Sequence, residues 1–200
     1  MIKAIVLGAG NSRRFGSDKR KAVLPNGKMV LQQSVETALA CFEHVTLTLR
    51  YNDGDFSTEL SSLINDPNLK IFHAPDSKLG MGHSLANTIE KINGSTGVFI
   101  LLADMPYIKV KTLKLLKNAL LQTCNLCADK LQNRSIIVPV IDGKFGHPIG
   151  FSPYYFEELK LLKGDKGARR IINDYNADVI QLIVDDKAIL KDIDNRRDIL

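Results

Sequence analysis

Residues 2–7, IKAIVL, make a short apolar run that stops at Gly8 and opens into a loop, GAGNSRRFG, before the next periodic segment begins. An apolar run of that length bounded by glycines reads as a buried strand feeding a loop. The theme then repeats. After the turn signal LPNGK, residues 30–42 (VLQQSVETALACF) carry apolar residues at helical spacing, and HVTLTLR alternates as a second strand. Residues 55–65 read as a helix, LKIFHA as a third strand, and GMGHSLANTIEKI as a glycine loop entering a helix. GVFILLADMP is the strongest apolar strand, closed by an acid and a proline. Strands alternating with helices predict an α/β fold with a mostly parallel sheet and helices on both faces. The second half is less regular. SIIVPVIDGKFGHPIGF reads as two strands turned by Asp142 and Gly143, a small antiparallel excursion. A proline-started helix at Pro153, a second helix entered through KGDKGARRIINDY and a strand-like DVIQLIV lead to a closing DIDN.

At 200 residues and 44% hydrophobic content the chain can bury a real core, and residues 1–200 are expected to form one domain. No apolar stretch approaches the roughly 18 residues of a membrane span, and strand-like sequence follows Met1 directly, so a cytoplasmic protein without a membrane partner is expected. Cys124 and Cys127 form a C-x-x-C, but no second pair or H-x-x-x-H supplies the remaining ligands of a zinc site. The charge is +5, and its placement matters more: across residues 1–30 seven cations face a single acid, Asp18. A nucleic-acid binder spreads its cations along a face, whereas here they crowd one glycine loop, which points to a compact anionic ligand.

Ligands of such sheets bind beyond the carboxyl ends of the strands, where the loops at Gly8, Gly80 and Asp104 are expected. A Walker A loop would need a lysine and a hydroxyl directly after the second glycine; Gly10 and Gly16 are separated by five residues and followed by Ser17. A dinucleotide fingerprint would need a third glycine where Arg13 stands and an acid where Arg50 ends the second strand, although Arg50 would suit a 2′-phosphate. A triphosphate loop fits better, with backbone amides around the phosphates and Arg13, Arg14 and Lys19 neutralising them; a solvated basic loop is the alternative.

LGAGNSRRFGSDK is similar to the opening signature of the MobA-like nucleotidyltransferases. GMGHSL at 80–85, LADMP at 102–106, GHPIGF at 146–151, GDKGAR at 164–169 and the closing DIDN follow in that family's order, so the resemblance spans the chain. It implies a Rossmann-like nucleotidyltransferase. Ala9, GMGHSL and LADMP resemble the cytidylyltransferase (MocA) branch more than the guanylyltransferase branch, favouring CTP over GTP, while Gly8 stands where both branches usually carry alanine. The implied acceptor is molybdopterin or its molybdenum-loaded form, with a transient contact to a molybdoenzyme or cofactor-carrier protein. The rivals are another phosphorylated small molecule, such as a sugar phosphate, and a non-catalytic nucleotide-binding protein.

The implied chemistry is attack of a substrate phosphate on the α-phosphorus of an NTP with release of pyrophosphate. It needs cations and a divalent metal, Mg²⁺, rather than a covalent intermediate. Arg13 and Lys19 are the candidates for the triphosphate, Lys19 being chosen over Lys21 by the family's G-x-x-K spacing from Gly16. Asp104, delivered by the strand before it, is the first candidate metal ligand and a catalytic residue; Asp194 is the second, with Asp192 as its alternative. Leu7, Gly8, Ala9, Gly10, Arg13, Arg14 and Lys19 would bind nucleotide phosphates. Gly80, Gly82 and Ser84 would contact the base, Ser84 also suiting a helix N-cap. Gly146, His147, Pro148, Asp165, Gly167 and Arg169 would shape the acceptor side, where His147 reads as a structural loop histidine rather than a base.

Overall fold

The computed structural model describes residues 1–10, 15–127, 129, 132–165 and 167–199. Its elements run β1 (Ile2–Leu7), α1 (Val30–Leu39), β2 (Val45–Arg50), α2 (Gly54–Leu63), β3 (Leu69–Ala74), α3 (Met81–Ile89), β4 (Gly97–Leu102), α4 (Val110–Leu126), β5 (Ile136–Ile141), β6 (Lys144–Phe145), β7 (Ile149–Phe151), α5 (Phe156–Lys160), α6 (Arg169–Asp174) and β8 (Val179–Ile183). One eight-stranded sheet unites them in the order β3-β2-β1-β4-β7-β5-β6, with β8 paired to β5. β1 to β4 are parallel neighbours, β7 runs antiparallel to both β4 and β5, and β8 is parallel to β5.

The apolar runs are buried on both faces, as a parallel sheet requires. In β1, Ala4 and Val6 join the cluster that includes α1, α2 and α4, while Ile5 and Leu7 point to the opposite cluster with α3, α5 and α6. In β4, Phe99 and Leu101 divide from Val98 and Ile100 in the same way. The period of two thus sorts each strand's side chains between two helical layers. Among the described residues no helix is long and apolar enough to cross a membrane.

Three features differ from the pattern reading. α4, the longest helix, occupies a stretch to which that reading assigns nothing; it buries Leu113, Leu116, Leu120 and Cys124 at helical spacing. The helix expected over 30–42 stops at Leu39, and Phe42 turns into the core to meet the Phe99 ring at 5.6 Å. The second strand of the expected hairpin is split into β6 and β7 at Gly146–Pro148. The hairpin turn itself stands where expected, with φ of 50° at Asp142 and 70° at Gly143, the paired positive angles of a two-residue turn that follows strand twist.

The chain's first crossovers build the sheet outward from β1 through β2 to β3, and the next strand, β4, joins β1 on its other side. Strand order therefore reverses between β1 and β4, and a crevice opens past Leu7 and Leu102, paired at the ends of those strands.

Candidate active site

The crevice is organised by three consecutive cations that go three ways. Lys19–Lys21 form a 3₁₀ turn capped by Asp18, whose carboxylate accepts from the Arg20 backbone amide. A 3₁₀ turn rotates successive side chains by about a third of a circle. Lys21 points outward to Glu59 at 2.6 Å, across the Phe56 ring. Arg20 points inward and is only 4% exposed. Its guanidinium pairs with Asp18 at 2.6 Å and Asp53 at 2.5 Å, and donates to the Gly8 carbonyl at 2.8 Å. Burial alone would lower the Arg20 pKa, yet hydrogen bonds and charge from Asp18 and Asp53 raise it above its ordinary value. The same contacts outweigh burial at Asp18 and Asp53 and hold both carboxyls below the usual range.

Lys19 points into the crevice. Its Nζ lies 2.6 Å from Asp104 Oδ2 and 3.3 Å from Asp194 Oδ1. Burial opposes its charge, but Asp104 and then Asp194 raise its pKa overall. Of the two lysines compatible with the sequence, Lys19 is therefore the one that meets both acids. Asp104 sits just past β4, where the Ala103 amide donates to the Leu7 carbonyl and the Ser34 hydroxyl to the Ala103 carbonyl. Asp194 arrives from the far end of the chain. The Ile193 amide donates to the Asp104 carbonyl at 2.9 Å, and Ile193 is buried with Phe15, Leu24 and Val30. The Asp194 and Asn195 amides both donate to Asp198, which fixes the turn beyond.

Asp104 and Asp194 are hard oxygen donors that both face the Lys19 Nζ, and among the described residues no group of three or more His, Cys, Asp or Glu is placed to hold a metal ion. Two carboxylates suit a divalent cation that draws its remaining ligands from phosphate and water. Asp192 lies in the adjoining cavity instead; burial, then the charges of Asp194 and Asp104, push its pKa up. Cys124 is buried on α4 against the Thr96 carbonyl, and Cys127 turns to the Asp129 carbonyl.

Arg13 and Arg14 lie outside the described residues. The glycine loop that precedes them is tied down from below. The Gly8 amide donates to Thr48, its carbonyl accepts from Arg20, and Arg50 donates to the Gly10 carbonyl. Asp53 also accepts from the Arg50 amide at 3.0 Å, so one carboxylate links Arg20 to the end of β2. A Cβ on Gly8 would lie 2.9 Å from Leu31 Cδ1 and 3.2 Å from the Thr48 carbonyl, a local reason for glycine where alanine is usual. Ala9 is buried. Sequence reasoning missed Asp18, Arg20 and Asp53 as a unit; the spacing of Asp18 and Arg20 was the one local hint.

Gly80, not Ser84, is the N-cap of α3, with φ of 119° that a side chain would strain. Ser84 lies one turn into the helix, buried, and its hydroxyl donates to the Gly80 carbonyl at 3.3 Å. The cap reading of Ser84 is thus corrected. Next to this segment lies a cavity of about 890 Å³ lined by Gly146, His147, Asp165, Gly167 and Arg169, together with Leu7 and Met81. Pro148 follows His147 through a cis peptide bond. Burial lowers the His147 pKa, with the Asp104 charge opposing, and its Nδ1 is buried without a partner. The cavity floor is apolar, from Leu85, Ile100, Leu102, Ile149 and Ile172, and Arg169 and Arg170 stand at its α6 side.

A mostly parallel sheet with a switch-point crevice, a lysine between two carboxylates and an adjoining cavity fit a nucleotidyltransferase of Rossmann-like fold. The chain belongs to the MobA-like NTP transferase domain family, whose model matches residues 4–179. Its relatives include the purine catabolism protein PucB of Bacillus subtilis, 35% identical over 185 residues, covering 84% of this chain and 78% of that protein. Among solved structures, Rv0371c of Mycobacterium tuberculosis matches with a TM-score of 0.80 at 25% identity, covering 98% of this chain and 94% of that one. Rv0371c is also known as a complex with manganese. The molybdopterin-guanine dinucleotide biosynthesis protein A of Archaeoglobus fulgidus matches with a TM-score of 0.64 at 19% identity, covering 98% of this chain and 94% of that one, a likeness of fold.

Proposed function

We propose that residues 1–200 act as one Mg²⁺-dependent cytidylyltransferase domain that moves CMP from CTP to a phosphorylated acceptor, molybdopterin or its molybdenum-loaded form. An acceptor phosphate oxygen bonds to the α-phosphorus as the bond to the β-phosphate breaks, and pyrophosphate leaves. The observation that carries this reading is Lys19, held between Asp104 and Asp194, next to residues Met105 and Asp192 that line the cavity. Asp104 and Asp194 would hold the metal ion, which when bound supplies positive charge to the phosphates. Lys19, with Arg13 and Arg14, would neutralise the charge that develops on the leaving oxygens, the kind of preorganised stabilisation that dominates such transfers. Gly8 to Gly10 would offer backbone amides to the phosphates, and the segment from Gly80 would face the base.

The cavity would orient the acceptor. Its apolar floor suits a body with a flat, poorly hydrated face, and Arg169 suits an anionic group. His147, buried and pushed toward its neutral form, would offer Nδ1 as a polar contact rather than act as a base, since a phosphate nucleophile is already ionised at neutral pH. CTP is favoured by Ala9, GMGHSL and LADMP.

Pyrophosphate release from each of the four NTPs with Mg²⁺, with and without molybdopterin, tests the reading. Molybdopterin-dependent release with CTP supports it; release with GTP, or with a sugar phosphate as acceptor, replaces it. The relation to PucB favours a second reading in which the same type of transfer serves purine breakdown. Loss of growth on a purine as sole nitrogen source in a deletion strain would support that role.

A further inference from the structure

The proposed base-side segment and the proposed acceptor-side loop are joined by a reciprocal pair of bonds. The Gly82 amide donates to the Gly164 carbonyl at 2.7 Å, and the Gly164 amide donates to His83 Nδ1 at 3.0 Å. Contact between the two backbones leaves no space for a side chain: a Cβ on Gly80 would lie 2.5 Å from Asp165 Oδ1 and 2.6 Å from the Gly164 carbonyl, and one on Gly82 would lie 2.9 Å from Lys163. A Cβ on Gly167 would lie 2.9 Å from the Met81 methyl. Accepting from Gly164 places the His83 ring proton on Nε2; the Leu79 carbonyl, 3.1 Å from the same Nδ1, belongs to the other tautomer. Beyond Gly164 the chain leads to Asp165, Gly167 and Arg169, which line the cavity together with Met81.

We infer that His83 is a positioning residue that fastens the 163–165 segment to the N-terminal turn of α3, so that nucleotide bound at one segment orders the other. The inference rests on the nucleotide and acceptor assignments proposed above. Its physical content is a coupling between two sites carried by one side-chain bond beside a close backbone contact, and such coupling acts in both directions. His83 touches neither substrate in this scheme.

The test is amide hydrogen exchange of the whole chain with Mg²⁺ and each of the four NTPs, at concentrations that saturate each variant. In the wild type, nucleotide is expected to slow exchange in 80–90 and also in 162–170. His83→Ala should keep the first effect and weaken the second by roughly threefold to tenfold, the scale of one hydrogen bond. His83→Asn should restore it, because Asn Oδ1 can take the place of Nδ1 as acceptor. His83→Phe, which keeps the volume and lacks the acceptor, should behave as His83→Ala does. With molybdopterin as acceptor, His83→Ala should raise the acceptor KM by the same factor, and His83→Asn should return it. Undiminished nucleotide-dependent slowing at 162–170 in both His83→Ala and His83→Phe overturns the inference. So does slowing at 80–90 without slowing at 162–170 in the wild type. If no NTP slows 80–90 in the wild type, the nucleotide assignment itself fails and the inference falls with it.

Discussion

The two sides of the crevice are held together by different physics. On the phosphate side, the loop after β1 is anchored by charge, since Arg20 joins Gly8, Asp18 and Asp53 in one buried network and Asp53 reaches on to the Arg50 amide. On the cavity side, the loops meet through closely apposed backbone, Gly80 and Gly82 against Gly164 with the uncharged bond to His83 Nδ1 beside them, and Gly146 against Ile189, where a Cβ would lie 2.5 Å from the carbonyl. Charge holds the loop proposed to face the phosphates, with Asp18 and Asp53 engaged by Arg20 while Lys19 faces the crevice. Backbone contact shapes the walls of the cavity proposed for the acceptor. The two devices should therefore fail differently, one with pH and truncation of charge, the other with added volume.

The largest effect is expected from Arg20→Met. It strands Asp18 and Asp53 without their cation, and losing one partner of a buried pair costs about 3 kcal/mol or somewhat more. Urea or thermal unfolding measures it; a change below about 1 kcal/mol would mean that the network is not holding the loop. The network also gives a signed pH dependence. Asp18 and Asp53 have folded pKa values below the unfolded value of 3.8, so their contribution is present above that value and is lost as pH falls through the folded values. Stability of the wild type should therefore drop below about pH 4 more steeply than that of Arg20→Met, whose carboxylates keep only the backbone amide at position 20 and the contributions of Arg50. Parallel slopes would break the charge half of the comparison.

Lys19→Ala follows. Its turnover is expected to fall by on the order of 10²–10³-fold, the scale of one lost electrostatic stabiliser, with a far smaller change in stability. Wild-type turnover in purified, folded Lys19→Ala would end its assignment. Gly80→Ala probes the other side: at φ of 119°, with backbone 2.6 Å from the new Cβ, it should cost on the order of 1–3 kcal/mol. A cost indistinguishable from zero in urea unfolding would mean that the close backbone contact does not hold this side.

This division also explains what could be read from the chain beforehand. β1 to β4, α1 and α3 follow from local pattern, because period two and helical spacing are written in consecutive residues. α4 escaped that reading because its apolar residues do not keep to one face: Leu113, Leu116 and Leu120 are buried while Leu115 and Leu126 are exposed. The split of β6 from β7 depends on Gly146 fitting under Ile189, a contact between residues far apart in sequence. In the site, the place of Asp104 at the sheet's carboxyl edge follows from the strand that delivers it, whereas its proposed metal role, like that of Asp194, came through the resemblance to the family's motifs. Arg20 was hidden among three cations that look alike, and its partner Asp53 lies beyond α1 and β2. Long-range ion pairs leave no local signature, which is why the loop's anchor was found only in three dimensions.

The smallest effect sharpens that point. Lys21 is two residues from Lys19 and equally cationic, and only the G-x-x-K spacing from Gly16 separates the two in the sequence. In the fold it pairs with Glu59, both side chains nearly half exposed, on the outer side of the 3₁₀ turn. Exposed pairs of this kind contribute about 0–1 kcal/mol. Lys21→Ala should therefore lower stability by no more than that, with turnover within about twofold of wild type. The loss in stability should shrink further in 0.5 M salt, because solvent-exposed charges are screened. A loss of turnover comparable to that of Lys19→Ala would transfer the phosphate role to Lys21, and would require the 3₁₀ turn to rotate by one position when nucleotide binds. The pair of variants thus tests whether the inward and outward faces of a three-residue turn, set by the burial of Arg20 between them, decide which lysine does the chemistry.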